Sequence, residues 1–482
     1  MNPENIPLLS LSEVAAAISS GAIASVAATQ ACLDRIAALD GRVNSFIRVD
    51  AEQALATAAE CDRDAAEGKL RGPLHGVPLA HKDMFDRLGK VSTGGSRILA
   101  DRVADRTATI LQRLDRSGAI DLGTLNLSEF AAGPTGHNVH YGDCHNAFDH
   151  AFIAGGSSSG PAAAVASRLV FAALGSDTGA SVRVPAAVNG LTGMKPTYGR
   201  VSRHGAMPRS WSLDHVGPLA RSARDLALIY GVIAGSDPDD PTTLNQPDVE
   251  SPKFGSNAVI RGLRIGMLKG AVELGVHPEI AQTLETTGAT LKQMGATLVQ
   301  ITLPDLQPLY ATAEIIVKSE AAAIHRNWLQ TRPQDYGAHV RARIEAGLAI
   351  TATQYIDALR LRPILARDFI ASVFGSCDVM LLPTIPMPVP TIAETDVERR
   401  GGEEILAVVG QITRFTRPLS LIGLPVVTAP CGFSQNGLPI GFQFAGRPFQ
   451  EARLMEVVDA FQQATRFHLT PPSIAAPLSS AS

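Results

Sequence analysis

Two short stretches decide the fold: Gly-Val-Pro-Leu-Ala-His-Lys-Asp at 76–83 and Val-Phe-Ala-Ala-Leu-Gly-Ser-Asp at 170–177. Each is a brief apolar run that stops on polar residues, which is how a buried strand reads. Between them, 107–117 has a helical pattern, Ala-Ile-Asp-Leu-Gly-Thr-Leu-Asn (119–126) is a further short apolar run, and 160–168 is Ala-rich and helical. Strands alternating with helices argue an α/β sheet covered on both faces.

Upstream, 11–67 reads as helical, with Ser10 or Ser12 as N-caps and a break at Ser20-Gly21. Residues 14–33 lack charge, yet Ser19, Ser20, Ser25, Thr29 and Gln30 make them too polar for a membrane span, and no Lys or Arg precedes them as a signal peptide would need. Downstream, 221–234 reads as a helix, 235–258 as a polar loop and 263–268 as a strand. Helices follow at 279–294 and over most of 310–373, then a strand at 377–383 and a Pro-rich loop at 383–390. Two strands, 426–433 and 439–446, are separated by Gln435-Asn436-Gly437, and a helix covers 451–464. No repeat or composition break appears, so one large domain is expected. Within it, 1–70 would be a helical segment packing on a body of 71–470, and 471–482 a flexible tail.

Composition excludes several classes. The chain has 482 residues, 45% hydrophobic and 18% charged, with a net charge of −4. Disorder and coiled coil do not fit those values, and no basic block suggests a nucleic-acid partner. Five cysteines, an odd number without a CxxC pair, read as reduced thiols in a cytoplasmic protein.

Three segments carry chemistry. Gly-Gly-Ser-Ser-Ser-Gly at 155–160 opens an Ala-rich helix, which a plain linker would not do. It also matches G-x-S-x-G with Ser158 central, but a nucleophile elbow needs a solid strand ahead of it and only Ala151–Ala154 precede. Next, 175–186 runs from a strand into Asp177, Thr178, Gly179, Ala180 and Ser181. Successive N–H groups there can bind an oxyanion, with the Ser181 hydroxyl beside them to attack a carbonyl; a Gly turn with a capping Ser is the plainer alternative. Finally, Lys82 is one of only eight lysines and closes an apolar strand. It could pair with Asp83 or be a buried neutral base. The second role requires titration about 3 pH units below the ordinary value, roughly 4 kcal/mol, which burial can supply.

These motifs, in this order, resemble the amidase signature hydrolases. Supporting matches include Thr124–Phe130, Gly190–Gly205, Ser212–Pro218, Phe415–Phe433 and Gly437–Arg447, so the resemblance spans about 10–465. It implies an α/β/α sandwich with a large mixed central sheet and a Ser–cis-Ser–Lys triad. By motif position Ser181 is the nucleophile, Lys82 the base and Ser157 the bridging cis-Ser. The implied oxyanion hole is the backbone of Thr178, Gly179, Ala180 and Ser181, supported by Ser158, Asp177 and Arg183. The family usually has Gly where this chain has Ala180, so a methyl group could narrow the acyl pocket or shift the loop there. Ala131, Ala132 and Gly133 would line the acyl side, and Trp211 a pocket wall or the core.

The expected activity is hydrolysis of a small-molecule amide, carbamate or ester through an acyl-enzyme, with no cofactor or metal. His137, His140, Cys144, His145 and His150 match no standard metal spacing. His81 and His215, which flank motif residues, read as local hydrogen-bonding groups. One alternative is the glutaminase subunit of a tRNA-dependent amidotransferase. Val184 after Arg183, and Trp211-Ser212-Leu213-Asp214-His215, depart from its usual residues and favour a stand-alone amidase. Further alternatives are an α/β-hydrolase esterase with Ser158 as nucleophile and a non-enzymatic subunit on the same fold. A homodimer through the N-terminal helices rests on analogy alone.

Overall fold

The structure, a computed structural model, describes residues 2–397, 399 and 402–477. Its frame is one mixed sheet of eleven strands. These are β1 (Phe46–Val49), β2 (Pro78–Lys82), β3 (Ile120–Leu125), β4 (Ala173–Asp177), β5 (Thr192–Lys195), β6 (His215–Ala220), β7 (Arg264–Leu268), β8 (Thr297–Ile301), β9 (Val379–Pro383), β10 (Val426–Phe433) and β11 (Pro439–Ala445). The spatial order is β1-β3-β2-β4-β6-β5-β10-β11-β9-β7-β8. Parallel pairs join β3, β2 and β4 near one end and β9, β7 and β8 at the other; antiparallel pairs fill the middle. Helices cover the sheet, as the alternation of short apolar runs with helical patterns predicts.

Four strands were not legible as strands. β1 is four residues between helices, inside a stretch expected to be helical throughout. β8 is a part-exposed edge strand of which only Ile301 is buried. β5 and β6 contain Gly193, Lys195, Gly217 and Pro218, residues that weaken a strand reading. The N-terminal helix Leu11–Ser19 begins as anticipated, with a capping box between Ser10 and Glu13.

What places the site is the parallel register of β2 and β4, in which Ala80 faces Ala173 and His81 faces Leu174. Both strands therefore end at the same edge, where Lys82 closes β2 and the loop after Asp177 leaves β4. The helix Ser159–Ala166 is buried at every residue, so it has no polar face to betray its period. Part of the expected flexible tail is packed: Ile474 and Ala475 are buried, and the buried Arg35 donates to Ile474 O at 3.3 Å and Ala476 O at 3.0 Å. Residues 478–482 of that tail lie outside the described residues. No helix among the described residues is long and apolar enough to cross a membrane.

Candidate active site

Lys82 is completely buried, and its Nζ donates to Ser157 Oγ at 2.7 Å and Ser176 Oγ at 2.9 Å. It forms no ion pair with any described residue. Asp83, its neighbour in sequence, accepts from Thr93 N at 3.0 Å and from the Thr93 hydroxyl instead. Burial pulls the Lys82 pKa from 10.5 down to about 7, against the pull of Asp177 and Asp214. The amine is therefore substantially neutral at neutral pH and can receive a proton.

The 155–160 segment holds the middle of the site. The Gly156–Ser157 peptide bond is cis. Gly156 admits no side chain: a Cβ would lie 2.6 Å from Gly133 O and 2.8 Å from Gly136 N. Its N–H donates to Pro134 O at 2.7 Å, and Ser128 N donates to Ser157 O at 3.2 Å. The loop 128–134 is thus strapped to the Ser157 backbone. Within that loop Phe130 and Ala131 take φ of 48° and 56°, a left-handed conformation costing roughly 1–2 kcal/mol each. Packing of Phe130 against His325, Trp328 and Tyr336 offsets that cost.

Ser158 does not face substrate. It is fully buried, its hydroxyl donates to Ser176 O at 3.2 Å, and Ser176 N donates back to it at 3.3 Å. A side chain locked onto the β4 backbone cannot be the esterase nucleophile. It ties the 155–160 turn to β4, as does Ser158 N, which donates to Ser181 O at 3.2 Å.

The loop after β4 is held from beneath. Asp177 and Arg183 form a fully buried ion pair at 2.9 Å, and the Asp177 carboxylate also accepts from Val182 N at 3.1 Å. Arg183 holds the carboxyl of Asp177 well below its ordinary range despite burial. The guanidinium reaches on to Thr416 O at 2.9 Å and Ser420 Oγ at 2.7 Å. Above this anchor, the N–H groups of Thr178, Gly179, Ala180 and Ser181 donate to no acceptor among the described residues. They line a cleft whose wall also includes Ala131, Ala132, Gly133 and Pro134. The Ser181 hydroxyl, on the same cleft, makes no hydrogen bond to a described side chain. Unpaired N–H groups beside an unengaged hydroxyl are what acyl transfer requires.

Ala180 in place of the usual Gly is accommodated. Its methyl packs in an apolar cluster with Ile153, Val184, Val188 and Ile412, and its φ is not left-handed. Trp211 lines neither this cleft nor the core: it is 51% exposed and borders a separate hollow with Met84, Phe85 and Met207. The histidines of 137–150 disperse. His137 contacts Thr395 Oγ1 at 3.0 Å, His140 meets Glu129 at 2.9 Å, and His145 bonds His150 O at 2.9 Å. No group of three metal-ligating side chains occurs among the described residues.

Three site residues went unread in the sequence. Ser176 is the second partner of Lys82. Asp214 accepts from Thr178 Oγ1 at 2.6 Å and from Arg209 N at 2.8 Å, joining the 178–181 loop to the cleft wall. Arg209 lines the cleft itself. Asp214 lies inside Ser-Leu-Asp-His-Val-Gly-Pro, so a signal was present; Arg209 sits in a loop without one.

A family model described as Amidase matches residues 27–455. A glutamyl-tRNA(Gln) amidotransferase subunit from Aromatoleum aromaticum is 39% identical over 97% of this chain and 99% of its own length. The same subunit from Azotobacter vinelandii is 38% identical over 96% and 99%. Among solved structures, a chain of an unexpected vestigial protein complex, which reveals the evolutionary origins of an s-triazine catabolic enzyme, superposes with a TM-score of 0.86 at 34% identity, covering 95% of this chain and 99% of that one. Peptide amidase from Stenotrophomonas maltophilia superposes with a TM-score of 0.83 at 29% identity, covering 97% and 99%. These curated relatives favour the amidotransferase-subunit reading over the stand-alone one that Val184 and Trp211–His215 suggested. Fold, motif geometry and matched length agree: the chain belongs to the amidase signature family of amide-hydrolysing enzymes.

Proposed function

We propose that the protein hydrolyses a carboxylic amide to an acid and an amine or ammonia through an acyl-enzyme on Ser181. The observation that supports this most is Lys82, a buried amine with no carboxylate, 2.7 Å from a hydroxyl. In the forward step neutral Lys82 takes the proton of Ser157, and Ser157 takes that of Ser181. Ser181 Oγ attacks the carbonyl carbon, and the new oxyanion sits on the N–H groups of 178–181. The carbon–nitrogen bond breaks as Ser157 passes a proton to the leaving nitrogen. Water then repeats the attack in reverse roles and frees Ser181. Nothing in this sequence calls for a metal, and carbamates and esters can follow the same route.

A second reading is the glutaminase subunit of a tRNA-dependent amidotransferase, supported by relatives at 36–39% identity along nearly the whole chain. Its discriminating observation is ammonia release from glutamine, with partner subunits. Five free, buried thiols suit a reducing compartment, and we place the protein in the cytoplasm.

The test is a fluorophosphonate probe followed by peptide mapping, alongside a panel of amides, carbamates, esters and glutamine. Labelling at Ser181 with amide turnover is expected. An adduct mapped to another residue, or turnover that survives Ser181→Ala, overturns the assignment.

A further inference from the structure

The cleft in front of Ser181 carries a charge that acyl transfer does not use. Arg209, Arg343 and Arg417 line it against a single acid, Glu314. Glu314 is already engaged on both oxygens, by Arg417 on one and by Lys318 at 3.0 Å on the other. Arg343 Nη1 donates to Ala132 O at 2.7 Å and so braces the loop opposite Ser181. Arg209 is the exception. It is only 4% exposed, its Nη1 is buried without a hydrogen-bond partner, and its guanidinium pairs with no described residue. The acid nearest in sequence, Asp214, is spent on the Thr178 hydroxyl and on the N–H groups of Arg209 and Ser210 at 2.8 and 2.9 Å.

A guanidinium offers five donors and no acceptor. Buried charges in proteins are normally paired, because an unpaired one loses its hydration for nothing. Burial, reinforced by Arg343, lowers the Arg209 pKa to about 9, which still leaves it charged at neutral pH. A charged donor set waiting at the wall of a reactive cleft lacks one thing, an anion with paired oxygens, and a carboxylate matches the guanidinium fork.

We propose that Arg209 binds a carboxylate of the substrate, and that the preferred substrates are monoamides of dicarboxylic acids. The proposal rests on Ser181 being the nucleophile of this cleft. Amino-acid amides with a free ammonium fit less well: the only acid among the described lining residues is Glu314, whose charge is already offset by Arg417 and Lys318. Glutamine, which carries both groups, is therefore a weaker ligand than its des-amino counterpart, glutaramate.

The test compares succinamate with butyramide and glutaramate with valeramide, pairs matched in length and differing in the carboxylate. Calorimetric binding to Ser181→Ala protein reads recognition without turnover, and kcat/KM of the wild type reads it with turnover. Each carboxylated member should lead its neutral match by about tenfold or more, as removing one partner of a buried charge pair does. Arg209→Met should collapse that ratio, Arg209→Lys should restore part of it, and succinamate should raise the Tm of the wild type more than that of Arg209→Met. A ratio near one, or one unchanged in Arg209→Met, overturns the proposal. So does tighter binding of N-acetylglycine, whose carboxylate lies on the amine side, or of glutamine over glutaramate. Turnover surviving Ser181→Ala would instead sink the nucleophile while leaving the binding result standing.

Discussion

Two lysines are wholly buried in this molecule, and they differ in what surrounds the amine. Nζ of Lys82 meets two hydroxyls, Ser157 and Ser176, each able to accept or donate. Nζ of Lys195 meets Leu424 O, Pro196 O at 3.2 Å and His215 Nε2 at 3.3 Å. His215 is kept neutral by burial, and its Nδ1 faces Leu213 O at 2.7 Å, so Nδ1 carries the proton and Nε2 accepts. Lys195 thus sees three acceptors and no hydroxyl, so none of the groups it touches offers it a proton to pass on. Burial lowers the pKa of both amines; only hydroxyl partners turn one of them into a proton relay. Lys195 instead pins the end of β5 to the loop before β10 and to the first residue of β6.

The contrast can be broken by substitution. Lys82→Ala should lower kcat/KM per folded molecule by about 10³-fold or more, as loss of a triad base does. Lys195→Met should spare activity and cost stability instead. Stranded acceptors cost about 1–3 kcal/mol each, so thermal unfolding should shift downward while kcat/KM per folded molecule changes little. If Lys195→Met abolished turnover and kept its Tm, the division of labour would be wrong. Ser176→Ala sharpens the comparison by removing one hydroxyl from Lys82. We expect kcat to fall about ten- to a hundredfold with KM nearly constant, because one net hydrogen bond to a charged or reacting group is worth about 1.5–3 kcal/mol. The smallest effect belongs to Trp211→Ala. Its side chain borders a different hollow, so steady-state kinetics on the best amide should stay close to wild type.

Much of this was legible in the sequence, for physical reasons. Lys82, Ser157 and Ser181 lie in short segments whose composition is unusual for their setting: a rare lysine in an apolar strand, serines opening an Ala-rich helix, small residues after a strand. The parallel strand pair that supports the site could be read from its apolar runs. Residues that act by register or by partner type could not be read. Ser176 reaches Lys82 only because β2 lies beside β4 with Ala80 opposite Ala173. Lys195 is likewise an isolated lysine, set in Thr-Gly-Met-Lys-Pro-Thr, and its role shows only in its acceptors. Trp211 offered an apolar wall by residue type, but its loop turns it outward to 51% exposure. Arg209 has no local pattern at all; its meaning comes from the pairing of every acid around it with something else.

Transfer of the Ser181 proton to an uncharged Lys82 by way of Ser157 is tested most directly by the pH dependence of kcat/KM. With the Lys82 pKa at about 7, the ammonium form predominates below that pH and cannot accept a proton. The rate should therefore rise about tenfold per pH unit on the acid side and level off above neutrality. The same ionisation should persist in Lys195→Met and vanish from the residual activity of Lys82→Ala. A profile flat between pH 5 and 8, or an acid limb that survives in Lys82→Ala, would contradict the account.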